Sequence, residues 1–285
     1  MMSSRATRPT HAIVLAAGLG RRMQASDNDP PKPLTEIGGI TLLDRMLTRL
    51  ADFGVTRVVI NLHHKPEMIE AHLLDADYPF EIVFSDERAC LMETGGGVLQ
   101  ALHHLGDAPF FVCNADVLWL DNAPDNTLTA LDRLAGSFDP DQMDACLLLA
   151  ARDKCSGYEG AGDFTFTSKM DISDGKIERL KGEQARAHSA ETSTVPCAPV
   201  ATQINAGVYA GFYVGVYAGV QIVSPSLFDK TPDAVRSQPF SFNILWDEAL
   251  VGARLFGCSL DGTWLHVGTP EGVRDAERIL QEKNL

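Results

Sequence analysis

Nowhere in the 285-residue sequence do about 18 apolar residues follow one another without interruption, so no segment is expected to cross a membrane. The first ten residues are polar, with Arg5 and Arg8 and no apolar stretch, and read as a flexible tail over 1–10 rather than a secretory leader. Positive charge is scarce. The 24 Lys and Arg stand against 38 Asp and Glu, and the resulting net charge of -14 would repel a polyphosphate backbone, which argues against nucleic acid as a partner. A few basic residues can still hold the phosphates of a single nucleotide. The six cysteines (Cys90, Cys113, Cys146, Cys155, Cys197, Cys258) are scattered in a way that fits neither a zinc site nor a compact disulfide framework, so free thiols and a cytoplasmic location are expected. Gly-Lys-Ser/Thr is missing, which excludes a P-loop. No His–carboxylate dyad is recognisable either.

What is present is 45% hydrophobic content, enough for a sizeable core, in a length that suits one large domain over 11–285. The pattern predicts a strand from Ala12 to Ala16, a glycine loop from Gly18 to Gly20, and a polar loop reaching Pro33. A helix follows, with Thr41 as N-cap, the apolar positions Leu42, Leu43, Met46, Leu47, Leu50 and Phe53 on one face, and Gly54 as its stop. Strands are expected over 55–61, 80–85, 109–115 and 145–150, with helices over 66–74, 97–105 and 128–135. Such alternation argues for a parallel sheet covered on both faces. A hairpin is expected from Gly162 to Leu180. The Ala-, Ser-, Thr- and Pro-rich stretch 183–199 reads as a mobile loop insertion. Gly207-Val208-Tyr209-Ala210-Gly211 recurs as Gly215-Val216-Tyr217-Ala218-Gly219, either as a local duplication at a strand or as a glycine-lined wall of a pocket. Thr269-Pro270-Glu271 supplies cap, first position and first-turn acid for a last helix.

The richest constellation is Leu15-Ala16-Ala17-Gly18-Leu19-Gly20-Arg21-Arg22-Met23, followed by Pro31-Lys32-Pro33-Leu34. Glycines directly after a buried strand let backbone N–H groups converge on phosphate oxygens, and Arg22 and Lys32 add fixed positive charge. Met23 stands where a dinucleotide fingerprint requires its third glycine, so a Rossmann cofactor site is disfavoured. Three more stations lie downstream. Leu91-Met92-Glu93-Thr94-Gly95-Gly96-Gly97 sits between a strand and a helix, where unhindered backbone could lie against a planar base, with Thr94 also suited to cap the helix. Asn114-Ala115-Asp116 ends an apolar strand, a position at which a parallel sheet meets its ligand. Trp264-Leu265-His266-Val267-Gly268-Thr269 lies near the end of the chain.

In this order the segments resemble the signature of the sugar-phosphate nucleotidyltransferases, and the resemblance runs from about His11 onward. It implies an α/β, Rossmann-like mixed and mainly parallel sheet flanked by helices, with a small β embellishment. It also implies that Ala16, Ala17, Gly18 and Gly20 hold a triphosphate, with Arg22 and Lys32 beside the transferred phosphate. Thr94, Gly95 and Asn114 would complete the nucleotide site, and Glu93, Gly96, Asp163 and Asn205 would border the sugar. Asp116 matches the family's metal-binding aspartate, which suits Mg²⁺, or Mn²⁺ in its place. His266 stands where the family has a second metal-binding aspartate, and imidazole is a poor Mg²⁺ ligand. His266 would then either ligate the metal directly or hydrogen-bond to its water or to the sugar phosphate.

The implied partners are small molecules, a nucleoside triphosphate and a sugar 1-phosphate, bound by a monomer or small homo-oligomer. Within the family the Glu-Thr-Gly-Gly-Gly segment, and Gly162-Asp163-Phe164 after Tyr158, look most like uridylyltransferases acting on N-acetylmuramate 1-phosphate. Guanylyltransferases acting on mannose 1-phosphate are near neighbours. Two further readings stay open: a glycosyltransferase, which would release no pyrophosphate, and a non-catalytic sensor, suggested by His266.

Overall fold

A computed structural model describes residues 8–21, 23, 29–74, 76–122, 128–167, 174–180, 208–209, 212–283 and 285. Its centre is a nine-stranded sheet. The spatial order begins Phe164–Phe166, Asp174–Arg179, Leu255–Ser259, Ala145–Ala151, Gly215–Val223, and continues Phe110–Asn114, His11–Leu15, Arg57–Leu62, Glu81–Asp86. Asp174–Arg179 and Gly215–Val223 run against all the others. The sheet is therefore mixed but mostly parallel, as the family resemblance implied, where the strand–helix alternation alone argued for a parallel one.

Strands His11–Leu15 and Arg57–Leu62 alternate their apolar side chains between two helix-covered faces. Ala12, Val14, Val58 and Ile60 pack with Met46, Leu47, Leu50 and Phe53 of helix Leu42–Phe53. Ile13 and Val59 pack on the opposite face with Val98, Ala101 and Leu105 of helix Glu93–Leu105 and with Leu245 and Trp246 of helix Asn243–Val251. Burying one such Leu contributes about 2 kcal/mol. Helix Leu42–Phe53 has the predicted ends. The Thr41 hydroxyl accepts from the N–H of Asp44 at 3.0 Å, and Gly54 closes the helix at φ 92°, in the left-handed region that glycine tolerates. Thr269 and Pro270 open helix Pro270–Glu282 as expected. That helix covers a third apolar cluster beside a small sheet of Leu118–Asp121, Gly262–Leu265 and Cys155–Ser156, the β embellishment.

Phe164–Phe166 and Asp174–Arg179 form the expected antiparallel hairpin. The second Gly-Val-Tyr-Ala-Gly copy begins strand Gly215–Val223, whose register against Ala145–Ala151 shifts between Tyr217 and Gln221. Gly219 sits in that irregularity at φ 85°, and a Cβ there would lie 2.5 Å from Val117 Cγ1. Of the first copy, Val208–Tyr209 pairs with Phe212–Tyr213 in a separate hairpin. The segment 183–199 lies outside the described residues, as do residues 1–7 of the tail.

One boundary differs from expectation. Glycines 95–97 suggested a helix starting only at Gly97, yet the helix begins at Glu93 and includes all three. Tertiary packing outweighs the low helix propensity of glycine here. A Cβ on Gly95 would be 2.4 Å from the Phe240 ring, and one on Gly97 would be 2.6 Å from Glu87 Oε1. Thr94 does not cap this helix: its hydroxyl accepts from the N–H of Phe242 at 2.8 Å.

Candidate active site at the carboxyl edge of the sheet

Spatially, the strands of the parallel half read third, second, first, fourth in chain order, so the strand order reverses beside His11–Leu15. Loops leaving His11–Leu15 and Phe110–Asn114 part there and open a crevice, the usual ligand position in such sheets. A cleft of about 440 Å³ occupies it. Leu15 lies level with Asn61 on one side and Asn114 on the other, so three strand ends present a row of groups to the cleft.

Ala16, Ala17, Gly18, Gly20, Lys32, Glu93, Thr94, Asn114 and Asp116 all line this cleft. Gly20 has φ 58°, and a Cβ there would be only 3.0 Å from Lys32 Cβ, so glycine is required by both backbone conformation and close approach. Lys32 opens the short helical turn Lys32–Leu34, which the preceding Pro31 and following Pro33 hold in place. Its Nζ reaches Asp116 Oδ2 at 2.5 Å, with side-chain exposures of 12% for Lys32 and 37% for Asp116. The ion pair thus joins a well-covered cation to a carboxylate open to the cleft. Arg21 also lines the cleft. Arg22 and Asn205 lie outside the described residues.

Other predicted residues stand elsewhere. Gly95 and Gly96 are buried, and both of their N–H groups donate to the Phe240 carbonyl, at 2.9 and 3.1 Å, rather than facing the cleft. These glycines are required by contact with Phe240, Met92 and Glu87. Asp163 is not part of the cleft lining. Its Oδ2 accepts from the N–H of Tyr217 at 2.9 Å, and burial pushes its carboxyl up from the usual range, with that hydrogen bond and Arg179 opposing. The N–H of His266 donates to the carbonyl of Ser156 at 2.9 Å. Its ring packs against Gly268, where a Cβ would come within 2.7 Å of Nε2. Gly268 lines the cleft and His266 does not. A His–carboxylate contact that the sequence did not reveal does exist: His72 Nε2 lies 2.9 Å from Asp44 Oδ1. It joins two helices, and neither residue lines the cleft.

Two polar residues that sequence reasoning passed over are Asn61, which lines the cleft, and its hydrogen-bond partner Glu87. Asn61 is 2% exposed, and its Oδ1 accepts from the N–H groups of Ala16 at 2.7 Å and Ala17 at 3.3 Å. Its Nδ2 donates to Glu87 Oε1 at 2.7 Å. An Asn near the end of the apolar strand Arg57–Leu62 is the same signal that drew attention to Asn114, and it was available for Asn61 too. Because Gly97 leaves the space that Glu87 fills, Gly97→Ala is expected to cost about 1–3 kcal/mol through overpacking. The readout is a lower urea midpoint at unchanged slope. An unchanged midpoint would show that Glu87 gives way freely.

Among the described residues no three His, Cys, Asp or Glu side chains converge as a metal cage. An exposed carboxylate at the cleft nevertheless fits a hard divalent ion whose remaining ligands are substrate phosphates and water. Asp116 meets that description and His266, packed against Gly268, does not.

A glycine-bearing loop, a Lys–Asp pair and a crevice at a topological switch point together define a nucleotide-handling α/β transferase. Residues 12–154 match the MobA-like NTP transferase domain. The chain belongs to the sugar-phosphate nucleotidyltransferase family: it is 36% identical over 277 residues to the N-acetylmuramate alpha-1-phosphate uridylyltransferase of Caulobacter vibrioides, covering 96% of this chain and 98% of that protein. A probable mannose-1-phosphate guanylyltransferase of Oryza sativa subsp. japonica is 26% identical over 270 residues, and the match spans 91% of this chain but 61% of that one. Among solved structures, the inositol-1-phosphate CTP transferase from T. maritima superposes with a TM-score of 0.66 at 16% identity, covering 97% of this chain and 98% of the other. Among the described residues no helix is long and apolar enough to cross a membrane.

Proposed function

We propose that this enzyme is a Mg²⁺-dependent uridylyltransferase that converts UTP and N-acetylmuramate 1-phosphate into UDP-N-acetylmuramate and pyrophosphate. The observation that carries this reading is the match to the Caulobacter vibrioides uridylyltransferase along nearly the whole of both chains. The guanylyltransferase match leaves more than a third of that protein uncovered. The product would be a nucleotide-activated form of a peptidoglycan sugar, and the reaction is assigned to peptidoglycan recycling in the cytoplasm.

An oxygen of the sugar phosphate attacks the α-phosphorus of UTP, a new P–O bond forms, and the bond to the bridging oxygen of pyrophosphate breaks. A phosphate monoester has a second pKa of about 6, so the nucleophile is already an anion at neutral pH and needs no general base. The cleft accordingly contributes position and charge. Among the described residues, the N–H groups of Gly18, Leu19 and Gly20 have no hydrogen-bond partner and are assigned to the triphosphate. Lys32 stands by the α-phosphate, and Glu93, at the far wall of the cleft, is assigned to the sugar. Asp116 would hold the metal ion, which when bound adds positive charge beside the phosphates.

Specificity is tested by pyrophosphate release with UTP, GTP, CTP or dTTP crossed with the 1-phosphates of N-acetylmuramate, N-acetylglucosamine, glucose and mannose. The expected signal is confined to UTP with N-acetylmuramate 1-phosphate. A preference for GTP with mannose 1-phosphate would replace this reading with a guanylyltransferase. Nucleotide binding without turnover would replace it with a sensor.

A further inference from the structure

Two walls of the cleft come from distant parts of the chain, the loop after His11–Leu15 and the segment around Leu91, Glu93 and Thr94. Asn61 lines the cleft between them, and its partner Glu87 lies behind it outside the lining; each is 2% exposed. Asn61 Oδ1 takes the N–H groups of Ala16 and Ala17, Asn61 Nδ2 donates to Glu87 Oε1, and Glu87 Oε2 accepts from the N–H of Met92 at 2.9 Å. Three hydrogen-bonding steps therefore connect the phosphate loop to the residue just before Glu93.

The order of donors and acceptors along this path is forced. Both ends are backbone N–H groups, which can only donate. Asn61 must turn its carbonyl oxygen toward Ala16 and Ala17, its amide then faces Glu87 as a donor, and Glu87 must accept on both oxygens. A carboxylate does that with both oxygens free to accept, whereas a protonated carboxyl would have to turn its hydrogen away from both donors. Burial pushes the Glu87 carboxyl up, with the hydrogen bonds from Met92 and Asn61 and the charge of His63 opposing. No Lys or Arg is among the groups that shift it. A buried carboxylate supported by two hydrogen bonds and no ion pair is costly to keep. Gly97 adds to the same picture, since any Cβ there would meet Glu87 Oε1 at 2.6 Å and Asn61 Nδ2 at 3.0 Å.

We propose that Asn61 and Glu87 are positioning residues for the nucleoside triphosphate, forming a buried relay that holds the phosphate loop and the opposite wall at the spacing the nucleotide needs. Holding Ala16 and Ala17 back leaves the N–H groups from Gly18 onward for the phosphates. The relay touches no reacting atom and acts through the loops at its two ends. The inference rests on the transferase reading above.

The test is a reciprocal exchange. N61D alone sets two carboxylates against each other, and E87Q alone sets an amide donor against either Asn61 Nδ2 or the N–H of Met92. In the double variant N61D/E87Q the parity returns. The new carboxylate at 61 accepts from Ala16, Ala17 and the new amide at 87, whose carbonyl oxygen accepts from Met92. Each single variant is expected to raise KM for UTP about tenfold or more, the scale of one buried hydrogen bond left unmade, with a smaller rise in KM for N-acetylmuramate 1-phosphate, whose wall at Glu93 is tied to the relay only through Met92. The double variant should return KM for UTP to within about threefold of the unaltered protein, a strong coupling between neighbouring sites. A purely structural role would lower the melting temperature and leave the ratio of the two KM values where it was, which overturns the proposal. A double variant no better than the single ones overturns it as well. Should a single variant fail to fold, the KM of the double variant for UTP decides by the same threefold and tenfold marks. Absence of turnover in the unaltered protein would instead overturn the uridylyltransferase reading itself.

Discussion

Lys32→Ala is expected to lower turnover by about 10²-fold or more, the scale of losing one preorganised charge-stabilising group in a water-excluded site. Lys32 is 12% exposed, held by the turn Lys32–Leu34 and by contact with Gly20, so its ammonium is fixed before substrate arrives. A charge already in place costs no reorganisation during the reaction, and its value is largest where negative charge accumulates on the transferred phosphate. The measurement is the single-turnover rate at saturating substrates, with a urea midpoint recorded beside it. A rate near that of the unaltered protein would contradict the role given to Lys32.

Asp116→Ala is expected to be as damaging, again about 10²-fold or more, and to raise the Mg²⁺ concentration needed for half the maximal rate. The 2.5 Å contact with Lys32 offers a rival account, in which Asp116 merely neutralises a buried cation. The two accounts separate in the double variant Lys32→Ala/Asp116→Ala. Breaking one half of an ion pair strands the other charge, whereas removing both halves relieves that strain. If the pair were only structural, the double variant would recover much of the rate lost by either single variant. The present account expects it to be at least as slow as the slower of the two. Direct Mn²⁺ binding in the presence of UTP, weakened in Asp116→Ala and retained in Lys32→Ala, is the companion observation.

How much of this was legible in the sequence follows from the range of the interactions involved. Thr41, Gly54, Pro66 and the Thr269-Pro270 pair mark helix ends through contacts within a few residues, and those ends fall where expected. Gly18, Gly20, Asn114 and Asp116 were readable because a polar or glycine residue close after an apolar strand has few purely structural reasons to be there, Lys32 was readable from the Pro-Lys-Pro that closes the polar loop, and the structure gathers all five around one cleft. The start of helix Glu93–Leu105 was misread, because three glycines signal a loop locally and only Phe240 and Glu87, brought in by the tertiary fold, make glycine necessary inside a helix. The relay through Asn61 and Glu87 escaped for the same reason. Asn61 carried the same local signal as Asn114, but Glu87 is ordinary in its own segment, and the pairing exists only once Arg57–Leu62 and Glu81–Asp86 lie side by side. The antiparallel insertion of Gly215–Val223 between Phe110–Asn114 and Ala145–Ala151 likewise depends on pairing at long range, which periodicity does not encode.

The most direct measurement is product analysis of the purified protein with UTP, N-acetylmuramate 1-phosphate and Mg²⁺, following pyrophosphate and the nucleotide sugar together. The account predicts one pyrophosphate released for each UDP-N-acetylmuramate formed, with both abolished when the sugar phosphate is omitted. Silence in Mg²⁺ and Mn²⁺ alike, with UTP still bound, would contradict it.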